Sequence, residues 1–261
     1  YQVAQFDWNG GSLSPEYTVF NGGLLVKDLD NPDRFIFSLF WDGYRCMIHG
    51  DQWSDNIIDA FVGTPEFLDF SGVHLVFSGR KDLVIPILES QNIDYEISMD
   101  RFVYECTEPS ENIKLSPGLM EIATQEDAEI LMRYCFLGDK DQHNGESSIS
   151  PQTIQNMVFS GINEKSFYKW RYRGQIASIC QVEISETRLP WITNFYTNPA
   201  FRNRGFGKSI LIRLTRNLLE EYVGCGLVSD ASFEYSNKAF ISCGYQQIYK
   251  FITVKVVRPE Q

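Results

Sequence analysis

The chain has 261 residues, a net charge of -11, 43% hydrophobic and 14% aromatic residues. That length suits one large domain or two small ones with a packed core. The acidic balance argues against nucleic acid as a general partner and is compatible with a cationic amine. No apolar run is long enough to span a bilayer and no basic segment with an apolar stretch opens the chain, so neither membrane anchorage nor export is expected.

In chain order, residues 1–32 are polar, and a helix is expected from Glu16 to Asp28. Arg34–Trp41 and Tyr44–His49 read as a hairpin closed by Asp42-Gly43. Ser54–Val62 reads as a helix, Val73–Phe77 as a central strand, Arg80–Gln91 as a helix kinked or split by Pro86, and Ile93–Cys106 as a strand. Residues 107–117, rich in Pro, Ser and charge, read as a linker or long loop. The domain boundary is placed there: residues 1–110 as an N-terminal α/β companion, 111–118 as linker, and 119–261 as the second domain.

The second part opens with a strand at Leu119–Ala123. A helix capped at Thr124–Asp127 is expected to end near Phe136, with a polar loop over 137–149. Ser150-Pro151 starts a helix to about Phe159. Strands follow at Ser166–Tyr172, Gln175–Ile184 and Trp191–Thr197. Ile210, Leu211, Leu214, Leu218 and Leu219 then recur at helical spacing. A strand at Gly226–Asp230, a helix at Ser236–Ser242 and a strand at Tyr245–Val257 complete the chain. The order is β, α, α, β, β, β, α, β, α, β.

The chain's sharpest feature joins the Trp191–Thr197 strand to the helix after it. Arg202-Asn203-Arg204-Gly205-Phe206-Gly207-Lys208-Ser209 is a short basic turn with two glycines. A helix start carries unpaired N–H groups and the positive end of the dipole, so it attracts anions. Gly205 and Gly207 lack a Cβ and would let a ligand approach the backbone. Arg202, Arg204 and Lys208 add positive charge to an acidic chain. The turn therefore reads as a phosphate or pyrophosphate cradle, with an ordinary solvated basic turn as the bland alternative. It is not a Walker A loop, because Arg202 stands where that loop needs glycine. It is not a dinucleotide fingerprint, because Ile210 stands at the third glycine.

Thr197-Asn-Pro199-Ala-Phe-Arg202-x-x-Gly205-x-Gly207, between a strand and an amphipathic helix, closely resembles the acyl-CoA motif of the GNAT superfamily of N-acetyltransferases. That pattern is Val-x-Pro-x-x-Arg/Gln-x-x-Gly-x-Gly/Ala, and Thr197 departs from it conservatively. The resemblance covers residues 119–257, element order included. Residues 230–245 resemble the family's closing helix and Gly-Tyr. The resemblance implies an α/β (α+β) fold with a mixed central sheet flanked by helices. Residues 1–110, whose elements follow a similar order, would be a degenerate half of the same architecture, as in bacterial two-part members including those similar to zwittermicin-resistance acetyltransferases.

The same resemblance implies acetyl-CoA as co-substrate, no metal, and acetyl transfer to a primary amine of a small molecule in the cytoplasm. It leaves a homodimer open. N–H groups of Asn203 to Lys208 would hold the pyrophosphate and Ser209 would offer a hydroxyl. The backbone of Phe195, Tyr196 and Thr197 would pair with pantetheine and polarise the thioester. Phe240 stands where a proton-donating tyrosine is common, Phe233 where an asparagine is, and Trp191 where some members have a glutamate. Glu183 is the first candidate base, before Glu186, Tyr196 and Asp230. The alternative is an acyl-CoA-binding or sensing module with little catalysis. Acids of the 124–165 region (Asp139, Asp141, Glu146 and Glu164) could meet the amine or form a solvated loop.

The six cysteines, Cys46, Cys106, Cys135, Cys180, Cys225 and Cys243, have no Cys-x-x-Cys spacing and read as small buried residues in a reducing compartment. His49, His74 and His143 show no metal-ligand spacing.

Overall fold

The computed structural model describes residues 76–143, 145–184 and 189–257, and before them the strands at 2–5, 15–20, 23–28, 35–41 and 45–50. The chain divides into two compact units, Tyr1–Arg101 with Tyr249–Gln261, and Phe102–Ile248. The division falls inside two strands, Tyr95–Cys106 (β7) and Gln246–Val256 (β13), and the segment from Thr107 to Gly118 lies within the second unit.

In the first unit, Gln2–Gln5 (β1), Pro15–Phe20 (β2), Gly23–Asp28 (β3), Phe35–Trp41 (β4) and Arg45–Gly50 (β5) form an antiparallel meander. β5 runs parallel to Val76–Arg80 (β6), which pairs antiparallel with Phe251–Lys255 of β13. The helix expected at Glu16–Asp28 is instead the β2–β3 hairpin. Tyr17, Thr18, Val19 and Phe20 are aromatic or β-branched, and Asn21-Gly22-Gly23 is a hairpin signal that outweighs a weak helical period. The helix expected at Ser54–Val62 and His74 lie outside the described residues. Lys81–Ser90 (α1) stays one helix despite Pro86, and buries Leu83, Val84, Ile87 and Leu88.

In the second unit the strand order is β7, Cys225–Asp230 (β12), Pro190–Thr197 (β11), Gln175–Ile184 (β10), Phe167–Tyr172 (β9) and Leu119–Ile122 (β8). β8 to β11 are antiparallel in sequence, and β11 runs parallel to β12. Ala128–Gln142 (α2) and Pro151–Asn163 (α3) cover one face. Their Leu131, Tyr134, Ile154 and Val158 pack with Phe167, Ile179 and Tyr196. Phe206–Leu218 (α4) and Glu234–Ser242 (α5) supply the other core. There Ile210, Leu211, Leu214 and Phe240 pack with Cys180, Ile192 and Leu227. Burying each large aliphatic side chain contributes about 1.5–3 kcal/mol, so α4's apolar stripe fixes its first turn against the sheet.

α2 runs six residues beyond its expected end at Phe136. Gly138 faces the Tyr196 ring, whose Cδ2 stands in ordinary contact, 3.4 Å, from where a Cβ would be. Asp139 then gathers the turn that follows, accepting from the Ser147 hydroxyl, the Ser148 N–H and the Ser148 hydroxyl at 2.7–2.8 Å. Lys140, Asp141 and Gln142, which read as loop, form the outer side of this last helical stretch, while Asp139 is buried. At the other end of α2, Asp127 reaches back to the Thr124 N–H at 2.8 Å, the expected cap. The Asp127 carboxylate also meets buried Lys169 and Arg171 from β9. α3 starts at Ser150, whose Oγ accepts from the Thr153 N–H, and it runs on to Asn163.

Candidate functional site: a parted strand pair above a helix start

β11 is paired along its whole length with β10, but with β12 only at Trp191↔Gly226 and Ile192↔Leu227. Beyond that second rung the parallel ladder stops. The cause lies in β11. The β10–β11 register shifts by one residue between Ile179↔Tyr196 and Gln181↔Thr193, so β11 carries an extra residue. Asn194 absorbs it in the left-handed region, with φ of 47°. Its amide donates to Gln181 Oε1 at 2.8 Å, which holds the bulge from the neighbouring strand. The result is an edge at Thr193–Thr197 that faces β12 without a strand upon it, among the described residues.

That edge leads into the basic turn. Asn198 caps a 3-10 turn at Pro199–Phe201 by accepting from the Ala200 N–H at 3.0 Å, and its amide donates to Tyr134 Oη at 2.6 Å. Asn203 and Gly205 both take positive φ, 59° and 79°, and Gly205 is the N-cap of α4. The Ser209 N–H makes the first helical bond, to Gly205 O at 2.9 Å. The N–H groups of Phe206, Gly207 and Lys208 precede it and stand at the open end of the helix.

The expected site residues separate into groups. Phe195 turns its ring into the α4 core, 5.6 Å from the Phe240 ring, and presents backbone rather than side chain to the opening. Thr197 Oγ1 is paired with Ser178 Oγ at 3.0 Å. Tyr196 is buried on the other face against Tyr134, with the Arg202 guanidinium 5.3 Å from its ring centre. Burial pushes its phenol up, which does not suit a base. Arg202 is clamped, donating to Thr197 O at 3.0 Å and to Asp141 at 2.8 Å. Arg204 sits 5.2–5.7 Å from the ring centres of Phe206, Phe201 and Tyr172, a cation–π nest that keeps its charge beside the turn. Lys208 is half-buried in the first turn of α4.

Two expectations about the turn are revised. Ser209 is fully buried. Its hydroxyl donates to Gly205 O at 2.9 Å and accepts from the Ser116 N–H at 2.7 Å, so it braces the turn from behind. The two glycines make room for the protein itself. A Cβ on Gly205 would lie 2.8 Å from Ser116 Oγ, and one on Gly207 2.8 Å from Thr197 Oγ1.

Among the candidate bases, Glu183 is the cross-strand partner of Trp191, exposed, and its Oε1 accepts from Thr193 Oγ1 at 2.8 Å. It therefore shares a sheet face with Trp191 and Thr193. Trp191 lies across Gly226, where a Cβ would be 2.8–3.1 Å from the indole, at the first of the two β11–β12 rungs. Asp230 uses Oδ1 to cap the turn before α5, accepting from the Ser232 N–H and hydroxyl. Glu186 lies outside the described residues. Of the loop acids, Asp139 and Asp141 are engaged as above, and Glu164 accepts from Ser160 Oγ. Phe233 is the N-cap of α5.

All six thiols are free and buried. Burial pushes Cys106 and Cys135 up to about 12 and Cys243 to about 11, so none is primed as a nucleophile. No described helix is long and apolar enough to cross a membrane.

Sequence reasoning missed Ser116, Tyr172, Asn194 and Asn198. Asn198-Pro199 carried a readable cap signal. The other three act through partners distant in sequence and left no local mark.

No protein-family model and no curated protein matches the chain. Its fold does match solved structures. A GNAT-family acetyltransferase from Colwellia psychrerythraea superposes with a TM-score of 0.60 at 11% identity, over 94% of this chain and 86% of that one. A GCN5-related N-acetyltransferase from Sphaerobacter thermophilus gives 0.60 at 14% identity, over 97% and 84%. A tandem GNAT protein from the clavulanic acid biosynthesis pathway gives 0.51 at 7% identity, over 97% and 86%. The mixed α/β architecture, a mixed sheet flanked by helices, is that of the GNAT fold.

Proposed function

We propose that this protein is an acetyl-CoA-dependent N-acetyltransferase of the GNAT superfamily that moves an acetyl group directly to a primary amine of a small molecule. The observation that carries it is the parted β11–β12 pair running into an α4 start whose turn is held open by Asn203 and Gly205. An extended chain can add to the free edge at Thr193–Thr197, and a pyrophosphate can follow it onto the N–H groups of Asn203 to Lys208. Arg204 and Lys208 supply charge there. Ser209 belongs to the turn's framework.

In the reaction we assign, a neutral amine attacks the thioester carbonyl. The new C–N bond forms as the C–S bond breaks, and the thiolate leaves with the electron pair. A backbone N–H in Phe195–Thr197 stabilises charge developing on the carbonyl oxygen. Glu183, oriented by Thr193, takes the amine's proton through water, and its carboxylate beside the Trp191 indole suits an approaching ammonium. The thiolate can leave without a side-chain acid, because a thiol is a fair leaving group near neutral pH. Free thiols fit a reducing compartment, so we place the activity in the cytoplasm. The match to a tandem GNAT protein, over 97% of this chain and 86% of that one, supports reading the first unit as a degenerate half of the same architecture.

One observation favours a second reading, a sensing module that binds acyl-CoA and turns over slowly. Phe240 is buried among Tyr104, Phe195 and Tyr245, so no hydroxyl stands at that point. Calorimetric titration with acetyl-CoA, desulfo-CoA and ATP tests the site. Micromolar binding of both CoA compounds and none of ATP is expected, and no binding of either CoA compound refutes the assignment. An amine panel with thiol-release readout then separates the readings. Turnover of roughly 1 per second or more favours the enzyme.

A further inference from the structure

The segment between β7 and β8 is fastened to the second unit along its length. The Ser110 N–H donates to Cys243 O at 3.0 Å, and Arg216 donates to Ser110 O at 3.1 Å. Trp170 Nε1 donates to Pro117 O at 3.3 Å. Gly118 lets the chain cross Trp170, with φ of 128° and no room for a Cβ, which would lie 2.6 Å from Nε1.

Ser116 is the point at which this strap meets the basic turn. Its hydroxyl donates to Arg204 O at 2.9 Å, and its N–H donates to the Ser209 hydroxyl at 2.7 Å. Ser209 in turn donates to Gly205 O. The two successive carbonyls of Arg204 and Gly205 are thus held on the strap's side, one directly and one through Ser209. A trans peptide is planar, and its N–H points opposite its C=O. Holding those carbonyls therefore turns the N–H groups of Gly205 and Phe206 to the other side, where an anion would sit. Gly205 O also accepts the first helical bond from the Ser209 N–H, whereas the bond to Arg204 O comes from the strap and from neither β11 nor α4.

We propose that Ser116 is a positioning residue for the anion cradle, setting its N–H directions from outside the strand–turn–helix motif. The inference rests on the reading of the turn as a CoA pyrophosphate site, and the test separates the two. Ser116→Ala removes the bond to Arg204 O and keeps the one from its N–H, while Ser116→Thr keeps both. The expected results for Ser116→Ala are a Kd for desulfo-CoA raised about fivefold, the loss of one hydrogen bond, and a kcat at saturating acetyl-CoA within twofold of wild type. Ser116→Thr should restore the affinity. Hydrogen exchange without ligand should quicken across residues 203–209 in Ser116→Ala alone. A Ser116→Ala protein with unchanged Kd overturns the proposal whatever its exchange rate. If wild type binds no CoA compound, the pyrophosphate reading falls, and unchanged exchange in Ser116→Ala then overturns the positioning role as well.

Discussion

Gly207 offers a test of why the turn contains glycine. In the first turn of a helix, alanine is ordinarily the better residue by up to about 1 kcal/mol. Here an added Cβ would lie 2.8 Å from Thr197 Oγ1 and 3.2 Å from Phe195 Cζ. Thr197 cannot swing away freely, because Oγ1 is bonded to Ser178 Oγ at 3.0 Å. Phe195 is packed against Phe240. Overpacking of this kind costs about 1–3 kcal/mol, and the strained hydrogen bond adds about 1 kcal/mol. After the helix-propensity gain, Gly207→Ala should destabilise by about 2 kcal/mol, which lowers Tm by about 4–8 °C for a chain of this size. Thr197→Ala, which deletes Oγ1, should return most of that loss when combined with Gly207→Ala. Urea unfolding of wild type, both single variants and the double variant measures the coupling. A Gly207→Ala protein as stable as wild type would refute the packing argument and return the glycine to a purely ligand-facing reason. So would strictly additive effects.

Three further outcomes are expected. Glu183→Gln should lower kcat towards a small amine about 100-fold, the scale of a lost general base, and leave acetyl-CoA affinity unchanged; a change under threefold removes Glu183 from the mechanism. Burial opposes ionisation of Asp127 and Asp139, but hydrogen bonds outweigh it, from Lys169 and Thr124 at the first and from Ser147 and Ser148 at the second. Both carboxyls are held below their usual range of about 3.9. Their stabilising contribution is full above the unfolded-state value and is lost as pH falls through the folded-state values, so acid unfolding should steepen below about pH 4 and flatten in Asp127→Asn. The six buried thiols should resist iodoacetamide at pH 8 in the native protein and all react in denaturant, and rapid native labelling of any one would contradict its burial.

Elements with local signals were legible in the sequence. The Ile210–Leu218 stripe, Ser150-Pro151, the Thr124–Asp127 box and the β4–β5 hairpin carry their instructions within a few residues, and each formed as expected. Residues 15–28 satisfy a loose helical period and a strand pattern alike, so the helix expected there gives way to the β2–β3 hairpin. The last turns of α2 carry no local signal, because Gly138 and Asp139 look like loop residues until Tyr196 and Ser147–Ser148 are brought against them.

The sequence alone also located the turn at 202–209, because two glycines beside three cations at a helix start are a local electrostatic fact. What it could not say is which groups the glycines admit. Gly205 makes room for Ser116, 89 positions earlier, and Gly207 for Thr197. The parting of β11 from β12 likewise follows from a one-residue register shift pinned by Asn194 and Gln181, two side chains on different strands. Periodicity and capping act over a few residues and can be read from the chain. Register, strand separation and the direction of a peptide N–H depend on partners that only folding brings together, and only the tertiary structure decided them.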